Sequence, residues 1–381
     1  KNALQATYTP QTVLHRDKEI ESIASILAPA MRGEKPSNLF IYGKTGTGKT
    51  LCAKHVSSIM MNVAEEKKIP LKILYLNCKM KRIADTEYRL IAQIIQELGN
   101  SVPATGLPTD EVYNIFFRML EKSNYKILII ILDEIDQLIT KAGDEVIYNL
   151  TRINAEMEHT LISLVGICNN AVFTETMDPR VRSSLSEEEI LFPPYNAIQI
   201  QDILRKRAEM AFKEDVLEQG VIEKCAAYAA REHGDARRAL ELLRVAGELA
   251  ERKGLSKVRV DHIDQAEEKI EKERVLEIVK MQPRQSQVAL YSIMLLIEKD
   301  KKIIYTGDVY DVYKQLCAKT DLRPLTQRRI SDIIGELDML GIINAAVISK
   351  GRHGRTREIK SNIGISIRQK IKAILSEELG L

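Results

Sequence analysis

Residues 43–50, with the sequence GKTGTGKT, carry the clearest chemical signal of the chain. Their spacing fits G-x-x-x-x-G-K-[ST], in which glycines let backbone N–H groups curl inward around phosphate oxygens. A glycine-rich surface turn is the alternative, but residues 38–42 are typical of a strand and residues 51–56 of a helix start. In that setting Lys49 would reach the β- and γ-phosphates, and the Thr50 hydroxyl would ligate Mg²⁺. The loop therefore predicts a nucleotide site, with contacts from Gly43, Gly46, Thr47, Gly48, Lys49, Thr50 and Leu51.

Two carboxylates follow the apolar run 127–132. In a parallel sheet, ligands bind at the carboxyl ends of the strands. Asp133 would therefore complete the Mg²⁺ shell, and Glu134 would orient and polarise a water for attack on the γ-phosphate. A strand end carrying solvated acids is the alternative, and the neighbouring phosphate loop argues against it.

Three further features of the sequence are candidates for the same chemistry. Asn169 ends the run 164–168 and would position the attacking water, although a lone asparagine is otherwise typical of a turn. Arg180 and Arg182 follow Asp178-Pro179, and a guanidinium there would stabilise charge on a neighbouring subunit's nucleotide; surface charge is the alternative. Arg237, in the stretch GDARRAL, would touch nucleotide phosphate from a second domain.

Alternating strands and helices must position these groups. Apolar runs at 39–42, 71–76, 127–132 and 161–167 alternate with helical periodicity, which predicts a parallel sheet covered on both faces. The interval 77–126 is long and holds helical patterns at 85–98 and 109–121. The first domain of this α/β fold is predicted at 1–192.

Two smaller domains are predicted after Pro193-Pro194. Helical patterns at 196–213, 216–231, 235–253 and 261–280, without strands, predict an all-helical domain at 193–280. Helices at 286–299, 308–319 and 326–340, followed by strands at 342–348 and 356–359, predict a winged-helix domain at 281–381.

The last domain has the charge expected of a nucleic-acid contact. Residues 284–381 hold 17 Lys and Arg against 11 Asp and Glu, whereas the rest of the chain holds 39 against 42. N-terminal residues of a recognition helix contact base edges, and a basic hairpin can follow a groove or phosphates. A solvated charged face is the alternative. The predicted DNA contacts are Gln327, Arg328 and Arg329 in the helix and Lys350, Arg352, Arg355 and Arg357 in the hairpin.

Composition limits the other classes. No apolar run approaches the ~20 residues that a membrane span requires, and we expect no membrane partner. The five scattered cysteines lack a C-x-x-C pair, which favours a reducing compartment. The cysteine pattern therefore favours a cytoplasmic protein, and a nucleoid-associated location in a prokaryote or archaeon is implied only by the family resemblance that follows.

The combined motifs resemble the AAA+ ATPases, and more narrowly the archaeal replication initiators related to the eukaryotic origin recognition complex and its helicase-loading partner. The resemblance spans nearly the whole chain and rests on residues 8–10 and 14–17, GKTGTGKT, LDEID, the stretch 178–197, GDARRAL and the winged module. It implies ATP or ADP with Mg²⁺ at Lys49, Thr50, Asp133 and Glu134. It also implies Asn169 and Arg237 as sensors and Arg180 as a finger, with Arg182 as competitor. Leu14, His15, Arg16 and Tyr195 are the further nucleotide contacts that it suggests.

The implied function is an ATP-dependent initiator that binds origin duplex DNA, assembles with other initiator subunits and helps to load the replicative helicase. Slow ATP hydrolysis would act as the switch. A clamp-loader subunit is a second reading, disfavoured by the winged module. A DNA-binding regulator with a structural nucleotide is a third, which Glu134 and Asn169 argue against.

Overall fold

The structure is a computed structural model of the 381-residue chain. It describes residues 2–5, 8–10, 12–79, 86–103, 106–155, 157, 159–170, 177–298, 303–349, 355–360 and 365–381. Two compact units divide the chain, Lys1–Ile263 and Asp264–Leu381, which we call unit 1 and unit 2. The three-way division at 192/193 and 280/281 stays a prediction.

The strands and helices of unit 1 alternate up to residue 192. The strands are β1 (Leu39–Gly43), β2 (Leu71–Asn77), β3 (Ile127–Asp133), β4 (Leu161–Cys168) and β5 (Glu188–Phe192). The helices are α1 (Asp17–Leu27), α2 (Lys49–Glu66), α3 (Glu87–Glu97), α4 (Thr109–Glu121), α5 (Ile135–Ala142), α6 (Glu145–Arg152) and α7 (Pro179–Leu185). Short 3₁₀ turns lie at Asn2–Leu4, Ala28–Arg32 and Ile153–Ala155.

The five strands form one parallel sheet in the order β2-β3-β4-β1-β5. Every residue of β3 is buried, because helices cover both faces of the sheet. Even-numbered residues of β3 from 128 to 132 join one apolar cluster, which includes residues of α3 to α7. Odd-numbered residues from 127 to 131 join a second cluster with α1 and α2. The four predicted strands of this sheet, β1 to β4, agree with the structure to within one residue at each end, whereas β5 was not predicted.

Three helices complete unit 1, namely α8 (Ala197–Ala211), α9 (Val221–Arg231) and α10 (Ala236–Arg252). Asn196 caps α8: its side chain accepts from the Gln199 N–H, and the Gln199 side chain accepts from the Asn196 N–H. Asp235 caps α10 by accepting from the N–H groups of Arg237 and Arg238. The start of α10 is therefore fixed by its own sequence.

Helix α11 (Val260–Met281) crosses the boundary between the units. Unit 2 continues with α12 (Arg284–Glu298), β6 (Ile304–Tyr305), α13 (Thr306–Lys319), α14 (Gln327–Met339), β7 (Asn344–Ser349), β8 (Arg355–Lys360) and α15 (Ile365–Leu379). Its strands form an antiparallel sheet in the order β6-β8-β7.

Helix α15 was not expected from the sequence. Ile371, Leu375 and Leu379 are buried at i, i+4 spacing, and α15 packs against α12. This burial stabilises a helix whose remaining surface is largely polar. The winged module therefore has a fourth helix after its hairpin.

Among the described residues, none of the helices combines the length and the apolar character needed to cross a bilayer.

Candidate nucleotide and nucleic-acid sites

The phosphate loop connects β1 to α2, as its sequence requires. Gly46 and Gly48 have φ values of 71° and 94°, a left-handed conformation that glycine adopts without a steric penalty. The Lys49 ammonium donates to the carbonyls of Gly43 and Lys44 at 2.8 and 2.7 Å. The Thr47 hydroxyl donates to the same Lys44 carbonyl at 2.8 Å. Loop and lysine thus form one hydrogen-bonded unit at the start of a helix, where anions bind well.

Lys49 is only 4% exposed, and this burial changes its chemistry. Desolvation lowers the pKa of the Lys49 ammonium from its ordinary value of 10.5 to about 8; the charge of Asp133 opposes the shift, and that of Arg237 adds to it. A bound polyanion would offset the free-energy cost of this desolvation by accepting charge-assisted hydrogen bonds from the Lys49 ammonium. The loop therefore fits a phosphate group.

Asp133 ends β3 and accepts three hydrogen bonds. Its Oδ2 accepts from the Thr50 hydroxyl at 2.8 Å and from the Tyr75 hydroxyl at 2.5 Å. Its Oδ1 accepts from the Glu134 N–H at 3.0 Å. The predicted metal ligands Thr50 and Asp133 are therefore in direct contact, and a hydroxyl beside a buried carboxylate suits Mg²⁺.

Glu134 has a φ of 55°, a left-handed conformation that is uncommon outside glycine and often found at functional sites. Its carboxylate lies 3.8 Å from the Lys79 ammonium. Asn169 directly follows β4, which lies between β1 and β3 in the sheet. The sheet order thus brings the phosphate loop, Asp133, Glu134 and Asn169 to the same edge.

A cavity of about 380 Å³ adjoins the phosphate loop. Its lining is largely apolar and includes Val13, Leu14, Leu51, Ile203, Met210 and Leu240. The predicted contacts Gly46, Gly48, Thr50, Tyr195 and Arg237 also line it. Its size and apolar walls suit a flat heterocyclic base joined to phosphates at the loop.

His15 and Arg16 have other partners in the described structure. The His15 ring pairs with the Asp202 carboxylate at 2.9 Å. Arg16 is 2% exposed, donates to the Thr47 carbonyl at 2.9 Å, and lies 4.0 Å from the centroid of the Tyr195 ring. Arg16 thus supports the phosphate loop from behind, and Leu14 is the member of this stretch that lines the cavity.

The amino end of α10 contacts the phosphate loop. A Cβ atom on Gly46 would lie 1.7 Å from Asp235 Oδ1, and one on Gly48 would lie 2.8 Å from the Tyr195 hydroxyl. The Ala236 N–H donates to the Gly46 carbonyl at 3.4 Å. Arg237 follows on the first turn of α10, with an exposed side chain. These contacts connect the helical region to the phosphate loop.

Arg180 and Arg182 lie on α7 with exposed side chains. The Arg180 side chain is 72% exposed and pairs with Asp178 through two hydrogen bonds of 3.1 and 3.0 Å. Its guanidinium also lies 5.4 Å from the centroid of the Tyr148 ring. The Arg180 guanidinium is therefore exposed to a second molecule, while its Nε and Nη2 atoms pair with Asp178.

In unit 2, Thr326 caps α14 by accepting from the Arg329 N–H at 3.4 Å. Gln327, Arg328 and Arg329 are exposed on its first turn, and Arg329 pairs with Glu336 at 3.3 Å. The i, i+3, i+4, i+7 stripe of α14 predicts burial of Ile330, Ile333, Ile334, Leu337 and Leu340. The first four are buried, whereas Leu340 is 42% exposed because it lies at the C-cap, where the helix ends.

Arg357 behaves differently from the exposed arginines. It is half-buried on β8, and a Cβ atom on Gly335 of α14 would lie 2.8 Å from its Nη2 atom. Its guanidinium therefore packs against the helix backbone. Lys350 and Arg352 lie outside the described residues, as does the side chain of Arg355.

Two contributors to the nucleotide site escaped sequence reasoning. Tyr75 belongs to no motif, and the pairing of β2 with β3 places it beside Asp133. Asp235 lies in the stretch GDARRAL at the start of a predicted helix. The sequence does not indicate its contact with Gly46. Both contacts join residues far apart in the sequence.

Comparison with known proteins agrees with this architecture. A family model described as "CDC6, C terminal winged helix domain" matches residues 277–370, and one described as "Cdc6 AAA+ ATPase-type lid domain" matches residues 201–268. A model described as "Bacterial TniB protein" matches residues 8–190. The "ORC1-type DNA replication protein" of Pyrococcus furiosus is 54% identical over 367 residues, which cover 95% of this chain and 86% of that protein.

The chain belongs to the family of ORC1-type DNA replication proteins. The "ORC1-type DNA replication protein 1" of Methanosarcina mazei, another member, is 50% identical over 97% of this chain and 89% of its own length. The solved "Structure of the Aeropyrum pernix ORC1 protein in complex with DNA" is 45% identical, covers 99% of this chain and 96% of that one, and gives a TM-score of 0.85. The predicted family and the predicted AAA+, lid and winged-helix architecture are confirmed.

Proposed function

We propose that this chain is an ATP-dependent replication initiator that binds origin duplex DNA and helps to recruit or load the replicative helicase. One observation carries the proposal: the Thr50–Asp133 pair beside Lys49 occurs in a chain that aligns over nearly its whole length with an ORC1 protein solved on DNA. A nucleotide site and a DNA-binding unit in one polypeptide are the components of a nucleotide-controlled initiator.

The nucleotide chemistry is assigned to residues of unit 1. Lys49 and the N–H groups of residues 46–50 bind the phosphates, and the apolar cavity receives the adenine base. Thr50 and Asp133 would hold Mg²⁺, which would neutralise negative charge on the phosphates. Glu134 orients the attacking water and takes up its proton, while Asn169 positions that water and Arg237 contacts phosphate.

The exposed arginines of α7 support the proposed assembly with other initiator subunits. An isolated chain is expected to hydrolyse ATP slowly, because the exposed Arg180 would act on the nucleotide of a neighbouring initiator subunit. Arg182 is the competing candidate for this finger. Slow turnover would make hydrolysis a timer for the ATP-bound state.

DNA contact is assigned to unit 2. Gln327, Arg328 and Arg329 at the start of α14 would reach base edges and phosphates, and the hairpin residues Lys350, Arg352 and Arg355 would follow the phosphate backbone. Arg357 would assist from its position against α14. Since the proposed partner is chromosomal DNA, we propose a cytoplasmic, nucleoid-associated location.

A salt titration of duplex binding tests the proposal. Binding to origin DNA and to random duplex is measured in ATP and in ADP, and phosphate release is followed with and without DNA. We expect tighter binding to origin DNA, a nucleotide-dependent difference, and a linear fall of log K with log salt. Equal affinity for both duplexes in both nucleotides would reject the initiator role. If no phosphate is released, the nucleotide has a structural role and is not hydrolysed.

A further inference from the structure

Tyr75 contacts the proposed metal-binding carboxylate although it belongs to no nucleotide-binding motif. It lies on β2 opposite Ile131 of β3, two residues before Asp133. The Tyr75 hydroxyl donates to Asp133 Oδ2 at 2.5 Å, and the Thr50 hydroxyl donates to the same oxygen at 2.8 Å. Two hydroxyl groups from different elements therefore hold one oxygen of this carboxylate.

The Tyr75 ring is itself held in place. The Lys54 ammonium, one helical turn after Thr50 on α2, lies 3.9 Å from the ring centroid. A phenol keeps its proton at neutral pH, so the Tyr75 hydroxyl is a donor to Asp133. The donor is thus anchored between a helix and two strands.

Asp133 Oδ1 has a partner of its own, the Glu134 N–H at 3.0 Å. Because both oxygens are bonded, the carboxylate is held in one orientation. Thr50 and the Glu134 N–H contribute two of these hydrogen bonds, and Tyr75 contributes the one from β2. Partners of this kind commonly account for ten- to a hundredfold in metal affinity.

We propose that Tyr75 is a positioning residue for Mg²⁺: its hydroxyl fixes the orientation of Asp133 before the metal binds. This inference rests on the proposed nucleotide function. Tyr75 does not act on the phosphates; it lowers the Mg²⁺ concentration at which nucleotide and metal bind together.

The test measures binding and does not require turnover. Binding of a fluorescent ADP analogue is titrated at increasing free Mg²⁺ for the parental chain, Tyr75→Phe and the control Tyr113→Phe. The control removes a similar bond, from the half-buried Tyr113 hydroxyl to Glu87 at 2.7 Å, away from the phosphate loop and β3. Thermal melting of each variant measures the loss of stability separately.

We expect Tyr75→Phe to raise the Mg²⁺ midpoint about tenfold and to change ADP affinity in EDTA by less than about twofold. Tyr113→Phe should lower the melting temperature without moving the Mg²⁺ midpoint. An unshifted midpoint in Tyr75→Phe, or an equal shift in Tyr113→Phe, overturns the positioning role. A parental chain that binds no ADP at any Mg²⁺ concentration overturns the proposed function and this inference with it.

Discussion

The nucleotide site of unit 1 and the candidate DNA face of unit 2 hold their functional side chains in opposite ways. Lys49 and Asp133 are 4% and 5% exposed and have fixed protein partners. Arg328 and Gln327 are exposed on the first turn of α14, and Arg329 pairs with Glu336 across the helix surface. One site is rigid before its ligand arrives, and the other is free to adapt.

The difference reflects what each ligand requires. Phosphoryl transfer needs groups held near their final geometry, because a misplacement of about 1 Å can cost about a hundredfold in rate. Duplex binding draws on long-range attraction to many phosphates, to which flexible arginines adjust at little cost. Substitutions in unit 1 should therefore cause large and specific losses, whereas those in unit 2 should cause graded, salt-dependent ones.

The largest effect is expected from Glu134→Gln. The amide cannot take up the proton of the attacking water, so phosphate release should fall by at least about a hundredfold, while nucleotide affinity changes by less than about threefold. Glu111→Gln, which changes an exposed acid paired with Arg118 on α4, is the control. If Glu134→Gln hydrolyses ATP at the parental rate, Glu134 is not the residue that activates the attacking water.

A tenfold or larger loss of nucleotide affinity is expected from Gly46→Ala. The added methyl group would overlap Asp235 and force α10 away from the phosphate loop. Gly254→Ala is a matched control, because Gly254 has nearly the same φ (67° against 71°) but has no described atom within 4 Å of the added Cβ.

Each of these substitutions carries the strain of a left-handed alanine, about 1 kcal/mol. Chemical denaturation measures that shared cost, and a nucleotide titration measures what Gly46→Ala loses beyond it. Equal nucleotide affinities in the two variants would show that the contact between α10 and the loop is dispensable.

A smaller, salt-dependent effect is expected from Arg328→Ala. Loss of one phosphate contact should lower the slope of log K against log salt by about 0.9 and leave nucleotide affinity unchanged. Arg32→Ala, at an exposed arginine of unit 1 paired with Glu34, changes the net charge equally and is the control. If both variants shift the slope alike, the effect belongs to net charge and not to α14.

The smallest effect is expected from Gly335→Ala, at the position on α14 against which Arg357 packs. Glycine within a helix costs about 0.5–1 kcal/mol relative to alanine, so Gly335→Ala should stabilise unit 2 when Arg357 is also alanine. With Arg357 present the gain should be smaller, because the guanidinium must leave its place 2.8 Å from the new Cβ.

A double-mutant cycle measured by urea denaturation would give the coupling, which we expect to be about 0.5–1 kcal/mol. If the two substitutions change the free energy of unfolding additively, the Arg357 side chain moves aside without an energetic cost. Its packing against α14 would then contribute no stability, as for the exposed arginines of α14.

Much of the local structure was determined by the sequence. Strands β1 to β4 were predicted almost to the residue, since short Ile- and Leu-rich runs are bounded by polar or glycine residues. The glycines of residues 43–50 and the capping residues Asp235 and Thr326 set backbone conformation through neighbours a few residues away. The predicted fold class followed from such local patterns, and the family from the resemblance of the combined motifs.

Only the tertiary structure decided which distant residues meet. Sheet order places Tyr75 on Asp133, and the approach of α10 places Asp235 on Gly46. Arg16, one of the suggested nucleotide contacts, is buried and donates to the Thr47 carbonyl, and α15 exists because α12 offers it an apolar surface. Periodicity and capping depend on neighbours within a few residues, whereas these contacts join segments tens to hundreds of residues apart whose adjacency only the packed core fixes.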